Sequence, residues 1–378
     1  MTRTTAVVGG GVIGAAVAWH LARRGHDVVV FDQRRGGVAA TAQSGGLLRL
    51  HHTADCDIAL AARALPTFQR FGELVGGDCG YRPTGFALLV GPEHGEALRH
   101  NVDKVRAAGG KAEVVEPGAL AARYPGLRLD GVAAAAYEPD GGYADPAATA
   151  RLLLDAARAE GARVLDDVPV EHLLVRDDRV VGVRCSIGDV DVDAVVLAAG
   201  VWSAGLAEEV GVDLGISPRW IAIALAHAEA DVPACIDDTT GNYFRPNGGQ
   251  GVFFGVDLDP EDEPVGTYFP VRPELVTAAR DGLWRRVPAL ADGPTVSTRV
   301  GVDGYTPDRH PVIGPVGPAG LYAATGLSGG GFKLAPAVGE LVAHEVDTGE
   351  EHEELVPYRP GRFAAGEPIV GEHGYRWM

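Results

Sequence analysis

Positive charge is scarce in this sequence of 378 residues, and the scarcity excludes several classes of partner. The 33 lysine and arginine residues are outnumbered by 51 aspartates and glutamates, which gives a net charge of −18. A chain this acidic repels phosphate backbones and anionic lipid, so we expect neither nucleic acid nor a membrane surface as a partner. Only three of the basic residues are lysines, namely Lys104, Lys111 and Lys333. A lysine inside a functional motif therefore stands out.

Cysteines and long apolar runs are also few. The four cysteines form neither a C-x-x-C pair nor a zinc-site spacing; they are Cys56, Cys79, Cys185 and Cys235. This pattern is typical of reduced thiols, so we expect a cytoplasmic protein without a metal site. No apolar run reaches the roughly 18 residues that span a membrane. The first strand is expected to begin by about Thr5, so we expect no signal peptide.

The residues that are abundant predict a folded protein of many short elements. Hydrophobic residues make up 46% of the chain, enough for a large core. There are 53 glycines and 25 prolines, which favour tight turns. Because domains typically contain about 100–200 residues, the length predicts two domains.

The N-terminal segment has the pattern of a dinucleotide-binding unit. An apolar run at 5–8 leads into Gly9-x-Gly11-x-x-Gly14, a helical segment and a second apolar run that ends at Asp32. The first glycine permits a tight turn, the second lets a pyrophosphate approach the backbone, and the third lets the helix pack against the strand. The carboxylate at the end of the second strand can accept hydrogen bonds from ribose hydroxyls. The motif by itself is compatible with either NAD or FAD.

Further strand patterns predict that the two domains are interleaved rather than consecutive. Buried, parallel-type strands are expected at 194–198 and 321–325, far from the N-terminal unit. Between them, the runs at 220–227, 241–245 and 251–256 are typical of one antiparallel sheet. We therefore predict a mixed α/β fold in which a Rossmann-type domain is interleaved with an antiparallel-sheet domain.

A third motif lies late in the chain. It consists of Thr306-Pro-Asp308, Pro311-Val-Ile-Gly314 and then a glycine-rich loop from Gly326 to Lys333, with a helix expected from about Ala335. The free N–H groups and positive dipole of a helix N-terminus favour negative charge. A reduced flavin carries negative charge at one edge of its ring, so this loop is suited to that edge.

Together these motifs resemble the D-amino-acid oxidase family of FAD-dependent oxidoreductases, and its glycine oxidase and sarcosine oxidase branches in particular. The matching segments are 7–32, 41–49, 142–150, 195–203, 306–314 and 326–338. The resemblance implies an FAD-binding domain made of 1–50, 142–215 and 296–378, and a substrate-binding domain made of 51–141 and 216–295.

The resemblance also implies which residues contact FAD. They are Gly9, Gly11, Val12, Ile13, Gly14, Asp32, Gln33, Ser44, Gly45, Gly46, Leu47, Val168, Ala199, Gly200, Trp202, Gly329, Gly330, Gly331, Phe332 and Lys333. Branches that attach flavin covalently use a cysteine or a histidine at positions where this chain has Gly301 and Gln43. FAD is therefore expected to be bound noncovalently.

For the substrate, the resemblance implies a carboxylate clamp made of Arg49 and Lys333. The further candidates are His51, Tyr243 and Phe253, the last at the position of an oxygen-activating lysine. The amino-acid oxidase branches place an arginine where this chain has Asp303. Pocket aromatics and apolar wall residues are expected among Trp220, Tyr268, Tyr305, Ile221, Ile223 and Phe254. The cluster from His51 to Asp57 resembles a metal site by residue type, but a helix capped by Thr53 explains it better.

The activity implied is oxidation of the C–N bond of glycine or an N-substituted glycine. The imine would hydrolyse to glyoxylate or an oxoacid plus an amine, and O₂ would reoxidise the flavin to give H₂O₂. The alternatives are a flavin-dependent dehydrogenase with another electron acceptor, an NAD-dependent dehydrogenase and a flavin-binding protein without turnover. The oligomeric state stays open.

Overall fold

A six-stranded, mostly parallel sheet carries the N-terminal glycine motif. The structure is a computed structural model and describes residues 2–35, 39–227, 230–258, 271–291 and 295–375. In sheet order the strands are β18 (Val312–Pro315), β19 (Leu321–Thr325), β12 (Ala194–Leu197), β1 (Thr4–Val8), β2 (Asp27–Phe31) and β8 (Arg163–Leu165). Every pair is parallel except β18 with β19. The strands are apolar on both sides because both faces of the sheet are covered.

Three helices cover one face of this sheet, and a small sheet covers the other. The helices are α1 (Val12–Arg23), α6 (Pro146–Ala159) and α9 (Gly331–Thr348), and the small antiparallel sheet contains β9 (Val170–Arg176), β10 (Arg179–Cys185) and β11 (Gly188–Asp191). Along β1, Val7 packs in the cluster with the helices, whereas Ala6 and Val8 pack in the cluster with the small sheet. This alternation follows from the two-residue period of a strand. At Gly339 a Cβ would come within 2.5 Å of Ala16, so the glycine lets α1 and α9 approach closely.

An eight-stranded sheet forms the second layered unit. In sheet order its strands are β17 (Thr295–Tyr305), β13 (Ser217–Ala226), β16 (Val252–Val256), β15 (Asn242–Pro246), β14 (Ala234–Asp237), β4 (Phe86–Val90), β6 (Ala134–Glu138) and β5 (Glu113–Val115). All neighbours are antiparallel except β14 with β4. Phe244 and Phe254 are fully buried in its core.

The remaining elements connect and cover these sheets. They are α2 (Asp55–Gln69), α3 (Phe71–Leu74), α4 (Gly95–Ala107), α5 (Pro117–Arg123), α7 (Ser203–Glu208), α8 (Pro273–Trp284), α10 (Gly361–Ala365) and the two-stranded pair β3 (Leu47–Leu48) and β7 (Gly142–Tyr143). Among the described residues, no helix, including α1, α6 and α9, combines the length and the apolar character that crossing a bilayer requires.

The predicted fold class is confirmed, and the boundaries of two helices differ from expectation. The helix expected at 54–75 begins at Asp55 with Ala54 at its N-cap, so Thr53 is not the cap, and it ends at Gln69 because Arg70 leaves the helical region with φ −116° and ψ 26°. The last long helix begins at Gly331, four residues before the expected start, which places Lys333 in its first turn. The domain division stays a proposal. Strand β17 pairs as far as Tyr305 with β13, which belongs to the proposed substrate-binding domain. We therefore propose that the last boundary between the two domains lies after Tyr305 and not before residue 296.

Candidate active site

One cavity connects the glycine motif to the eight-stranded sheet. Its volume of 1390 Å³ exceeds the roughly 300–1,000 Å³ of an ordinary small-molecule pocket. The lining comes from the loops after β1, β2 and β12, from the glycine-rich loop before α9, and from β13, β15 and β17. A cavity of this size and position has room for a dinucleotide and a substrate together.

At the N-terminal end, the glycines of the motif are required by close backbone contacts. Gly9 has φ +106°, and a Cβ there would lie 2.4 Å from the carbonyl oxygen of Ala198. At Gly14 a Cβ would lie 1.9 Å from the carbonyl oxygen of Gly9. Gly11 is the N-cap of α1 and makes no side-chain cap hydrogen bond. The N–H of Val12 donates to the hydroxyl of Thr41 at 3.1 Å. Gly11, Val12 and Ile13 line the cavity, so the N-terminus of α1 lies where it suits a pyrophosphate.

Asp32 holds the turn that follows β1. Its carboxylate accepts hydrogen bonds from the backbone N–H of Gly10 at 2.6 Å and of Arg34 at 2.8 Å. Burial raises the pKa of Asp32, and these two hydrogen bonds oppose the rise. Asp32 also lines the cavity. Its remaining acceptor capacity is available to the hydroxyls of a ribose.

At the other end of the dinucleotide site, Asp303 organises the glycine-rich loop. Its carboxylate accepts from the backbone N–H of Gly329 at 2.8 Å and of Gly304 at 2.9 Å. Burial raises its pKa. The acid that replaces the arginine of the amino-acid oxidase branches thus has a structural task, which the sequence did not reveal. It joins β17 to the loop that starts α9.

These observations fit FAD as a cofactor. The glycine contacts leave backbone exposed at the start of α1, and the start of α9 lines the same cavity through Gly330, Gly331 and Phe332. Of the predicted cofactor contacts, all line the cavity except two, Gly14 and Val168. Gly14 acts through packing, and the N–H of Val168 donates to the carbonyl of Asp32 at 2.8 Å.

Two basic side chains line the cavity and form no ion pair with a described residue. Arg49 follows β3, and Lys333 lies in the first turn of α9. Neither forms an ion pair within the described part of the chain; the Lys333 ammonium donates only to the carbonyl of Gly330, at 3.3 Å, and Nη1 of Arg49 is buried without a partner. Burial lowers the pKa of Arg49 to about 10. Burial and the charge of Arg49 together lower the pKa of Lys333 to about 7, against the opposing effect of Asp57 and Asp303. The structure brings the two predicted clamp residues together around a place that suits an anion.

A histidine beside this clamp was not selected from the sequence. His52 lines the cavity, whereas the predicted His51 does not. The ring of His51 points to Tyr375, with 2.8 Å between Nε2 and the hydroxyl. The backbone N–H of His51 donates to Glu138 at 2.7 Å, so its neighbourhood is structural. No local signal in the sequence distinguishes the two adjacent histidines.

Phe253 also lies off the cavity, because it supports a buried arginine. The guanidinium of Arg245 lies 4.6 Å from its ring centre and 4.3 Å from that of Tyr143. From this position Arg245 donates to the carbonyl of Gly45 at 2.6 Å. The eight-stranded sheet thereby holds the loop that is expected to contact the flavin. In the sequence, the signal for this supporting role was an arginine within an otherwise apolar strand.

The far end of the cavity is lined by β13, β15, β16 and α8. Tyr243 lies here as predicted, packed so closely that a Cβ on Gly255 would come within 2.2 Å of its ring. Trp220, Tyr305 and Ile221 line the cavity, whereas Ile223 and Phe254 are buried elsewhere. Tyr268 lies outside the described residues. Helix α8 contributes Leu275, Ala278, Ala279 and Gly282, so this end is apolar and contains small residues.

Comparison with known proteins identifies the family. The family model described as DAO, FAD dependent oxidoreductase, matches residues 4–345. The chain belongs to this family. FAD is therefore its cofactor, and the NAD-dependent alternative is discarded.

Similar proteins within this family act on amino acids according to their names. Human sarcosine dehydrogenase, a mitochondrial protein, is 26% identical over 386 residues, which cover 96% of this chain and 41% of that protein. The chain thus spans less than half the length of this relative. The structure of an L-proline dehydrogenase from P. horikoshii has a TM-score of 0.90 at 25% identity and covers 97% of this chain and 99% of that one. A glycine oxidase from Geobacillus kaustophilus has a TM-score of 0.83 at 25% identity, with coverage of 96% and 99%.

Proposed function

We propose that this protein oxidises the C–N bond of an N-substituted glycine or a related secondary amino acid. The observation that carries the proposal is the pair of buried, unpaired cations, Arg49 and Lys333, beside the glycine-rich loop. A carboxylate between them would pair with two basic groups that form no ion pair within the described residues, although Asp57 is close enough to act on both electrostatically. Charge-assisted hydrogen bonds of this kind are among the strongest that a site offers to a carboxylate.

The clamp also orients the substrate. FAD, when bound, supplies the acceptor for a hydride from the carbon next to nitrogen. Arg49 and Lys333 hold the carboxylate on that same carbon, so its C–H bond is restricted to a few orientations. Fixed orientation is a large source of rate acceleration and requires no covalent contribution from a side chain. The imine formed then hydrolyses to glyoxylate or an oxoacid and the free amine.

The apolar end of the cavity supports a substituent on nitrogen. Ile221, Leu275 and Ala279 line the same cavity and are the residues that would surround such a substituent. Names of similar proteins include sarcosine, proline and glycine as substrates. An apolar N-substituent fits this lining, because apolar walls bind apolar groups.

We also propose that O₂ accepts the electrons and is converted to H₂O₂. A dehydrogenase with another acceptor is the second candidate, since a sarcosine dehydrogenase and a proline dehydrogenase are among the similar proteins. A comparison of flavin reoxidation by air with reoxidation by an artificial acceptor separates the two.

The experiment is a steady-state comparison of substrates in a peroxide assay, run beside anaerobic bleaching of the flavin. The panel contains glycine, sarcosine, longer N-alkylglycines, L-proline and D-alanine. We expect a higher kcat/KM for at least one N-substituted glycine than for D-alanine. The reverse order for every N-substituted glycine would contradict the substrate proposal, and a flavin that none of these compounds bleaches would contradict the oxidase and dehydrogenase proposals together.

We predict that the FAD is released on denaturation. Gln43 and Gly301, which occupy the family's attachment positions, are in contact with each other and offer no nucleophile. None of the four cysteines lines the cavity. Acid precipitation should therefore leave the yellow colour in the supernatant, and colour in the washed pellet would show a covalent link.

A further inference from the structure

His52 presents an imidazole nitrogen that no neighbour uses. The side chain is buried and lines the cavity together with Arg49 and Lys333. Its Nε2 atom is buried and makes no hydrogen bond to the residues that the structure describes. Because buried polar groups are normally paired, the position indicates a partner that arrives with the ligand.

The other nitrogen of this imidazole faces a fixed carboxylate. Nδ1 of His52 lies 3.6 Å from Oδ2 of Asp57, in the first turn of α2. The hydroxyl of Tyr358 donates to Oδ1 of Asp57 at 2.7 Å, and Nε2 of His310 lies 3.2 Å from Oδ2. Asp57 is therefore held in place from two other elements. A carboxylate there stabilises a positive charge on His52, as in other carboxylate–histidine pairs.

The charges around His52 favour the neutral imidazole until a ligand binds. Burial lowers its pKa most, and Arg49, Lys333, His51 and His310 lower it further. A substrate carboxylate between the two clamp cations offsets their charge. The same event that brings in an ammonium group thus makes His52 a stronger base.

We propose that His52 is the base that accepts the proton of the substrate ammonium group. The inference rests on the proposed function. In this step an N–H bond of the ammonium breaks, its proton goes to Nε2 of His52, and the electron pair stays on nitrogen. Oxidation of the C–N bond needs this lone pair, because it becomes the second bond of the imine. The imidazolium formed is paired with Asp57.

The test is the rate constant of flavin reduction in His52→Gln, measured anaerobically at saturating substrate from pH 6.5 to 10. Loss of a general base typically costs about 10²–10⁴-fold, so we expect a fall of about 100-fold near pH 7. The rate should recover at high pH, where the substrate amine is already neutral. Asp57→Asn, which keeps the imidazole and removes its counterion, should show a smaller loss of about 10-fold with the same recovery.

A binding measurement separates this role from a structural one. The Kd of an amine-free carboxylic acid, followed by calorimetry, should be unchanged in His52→Gln, because the clamp is intact. His344→Gln changes a histidine of α9 that does not line the cavity, and it should behave as the wild type.

Three results would overturn the proposal. The first is that His52→Gln reduces the flavin at the wild-type rate at every pH. The second is that its rate of reduction falls and does not recover at high pH. The third is that the rate recovers at high pH in His310→Gln and not in His52→Gln. If His52→Gln does not fold, the pH profile of Asp57→Asn decides alone. Failure of the proposed function looks different, since the wild-type flavin would then not be reduced by any amine of the panel.

Discussion

The two ends of the cavity differ in the kind of contact that they offer to a ligand. At the dinucleotide end the essential contacts are between backbone atoms, and the residues that make them possible, Gly9, Gly14 and Asp32, lie within one stretch of 9–32. At the proposed clamp end the expected contacts are between side-chain charges and a carboxylate, and the residues that would make them, Arg49 and Lys333, are far apart in sequence. The first end therefore depends on steric fit, which a single Cβ destroys. The second depends on electrostatics, which a substitution weakens by degrees.

The largest effect is expected at the dinucleotide end. In Gly14→Ala the added Cβ would lie 1.9 Å from a backbone oxygen that cannot move without displacing β1. We expect loss of FAD binding and of most of the stability, measured as the flavin-to-protein ratio and the free energy of unfolding. The matched control is Gly118→Ala in α5, which does not line the cavity and where a Cβ meets nothing within 4 Å. Normal FAD content in Gly14→Ala would show that the backbone fit is not decisive.

At the clamp end we expect a graded loss. Arg49→Ala and Lys333→Met should each weaken substrate binding by about 10- to 100-fold, since a charge-assisted hydrogen bond contributes about 1.5–3 kcal/mol. FAD content should change less than substrate affinity, because most of the expected FAD contacts are made by other residues. Lys111→Met, at a lysine that pairs with Asp140 on the surface, is the control. Unchanged kcat and KM in both clamp variants would disprove the clamp, and equal loss of FAD would remove the distinction between the two ends.

A smaller effect is expected where the cavity meets α8. Ala279→Leu adds three carbons to a lining position, so it should lower kcat/KM for long N-alkylglycines by about 10-fold, the cost of a poorly fitting apolar group. Sarcosine should be affected little, because its methyl group does not extend that far. Thr277→Leu, on the same helix but away from the cavity, is the control. An equal loss for sarcosine would place α8 against the clamp instead of the substituent.

The smallest expected effect is a pH dependence of binding. Because burial lowers the pKa of Lys333 to about 7, the free lysine is charged below that pH and neutral above it. Affinity for an amine-free carboxylic acid should fall several-fold as the pH rises from 6 to 9. Arg49 stays charged over this range, with a pKa of about 10, so binding is weakened and not abolished. Calorimetry on Lys333→Met should show no such fall; a fall of the same size there would assign the titration to another group.

The dinucleotide end was accessible to sequence analysis because its information is local. The glycine spacing, the apolar strands on either side and Asp32 define a turn whose geometry depends on neighbouring residues alone. The same holds for the start of α6, where the predicted N-cap Asp145 accepts from the N–H of Ala148 at 3.0 Å. The exact start of α9 was harder to predict, because the glycines before Phe332 favour a loop and only packing extends the helix through them.

Which of two adjacent histidines faces the cavity was decided by tertiary structure. His51 and His52 are equivalent in type and position, and the choice depends on Glu138 and Tyr375, which are distant in sequence and hold His51 away. Arg245 and Phe253 likewise acquire their roles only where two sheets meet. In the sequence, Asp303 stands as an acid where related oxidases have an arginine. In the structure its carboxylate accepts a hydrogen bond from the N–H of Gly329, so it is part of the glycine-rich loop.

By itself, the sequence determined the fold class and the dinucleotide motif and led to the proposal of the two clamp residues, because these depend on local turn geometry and on patterns that resemble a known family. The tertiary structure decided that Arg49 and Lys333 form no ion pair with any described residue, that His52 instead of His51 lines the cavity, and that small residues of α8 line it as well. Each of these features depends on segments that are distant in sequence, because those segments bury a side chain away from water and either supply a hydrogen-bonding or charged partner for it or do not.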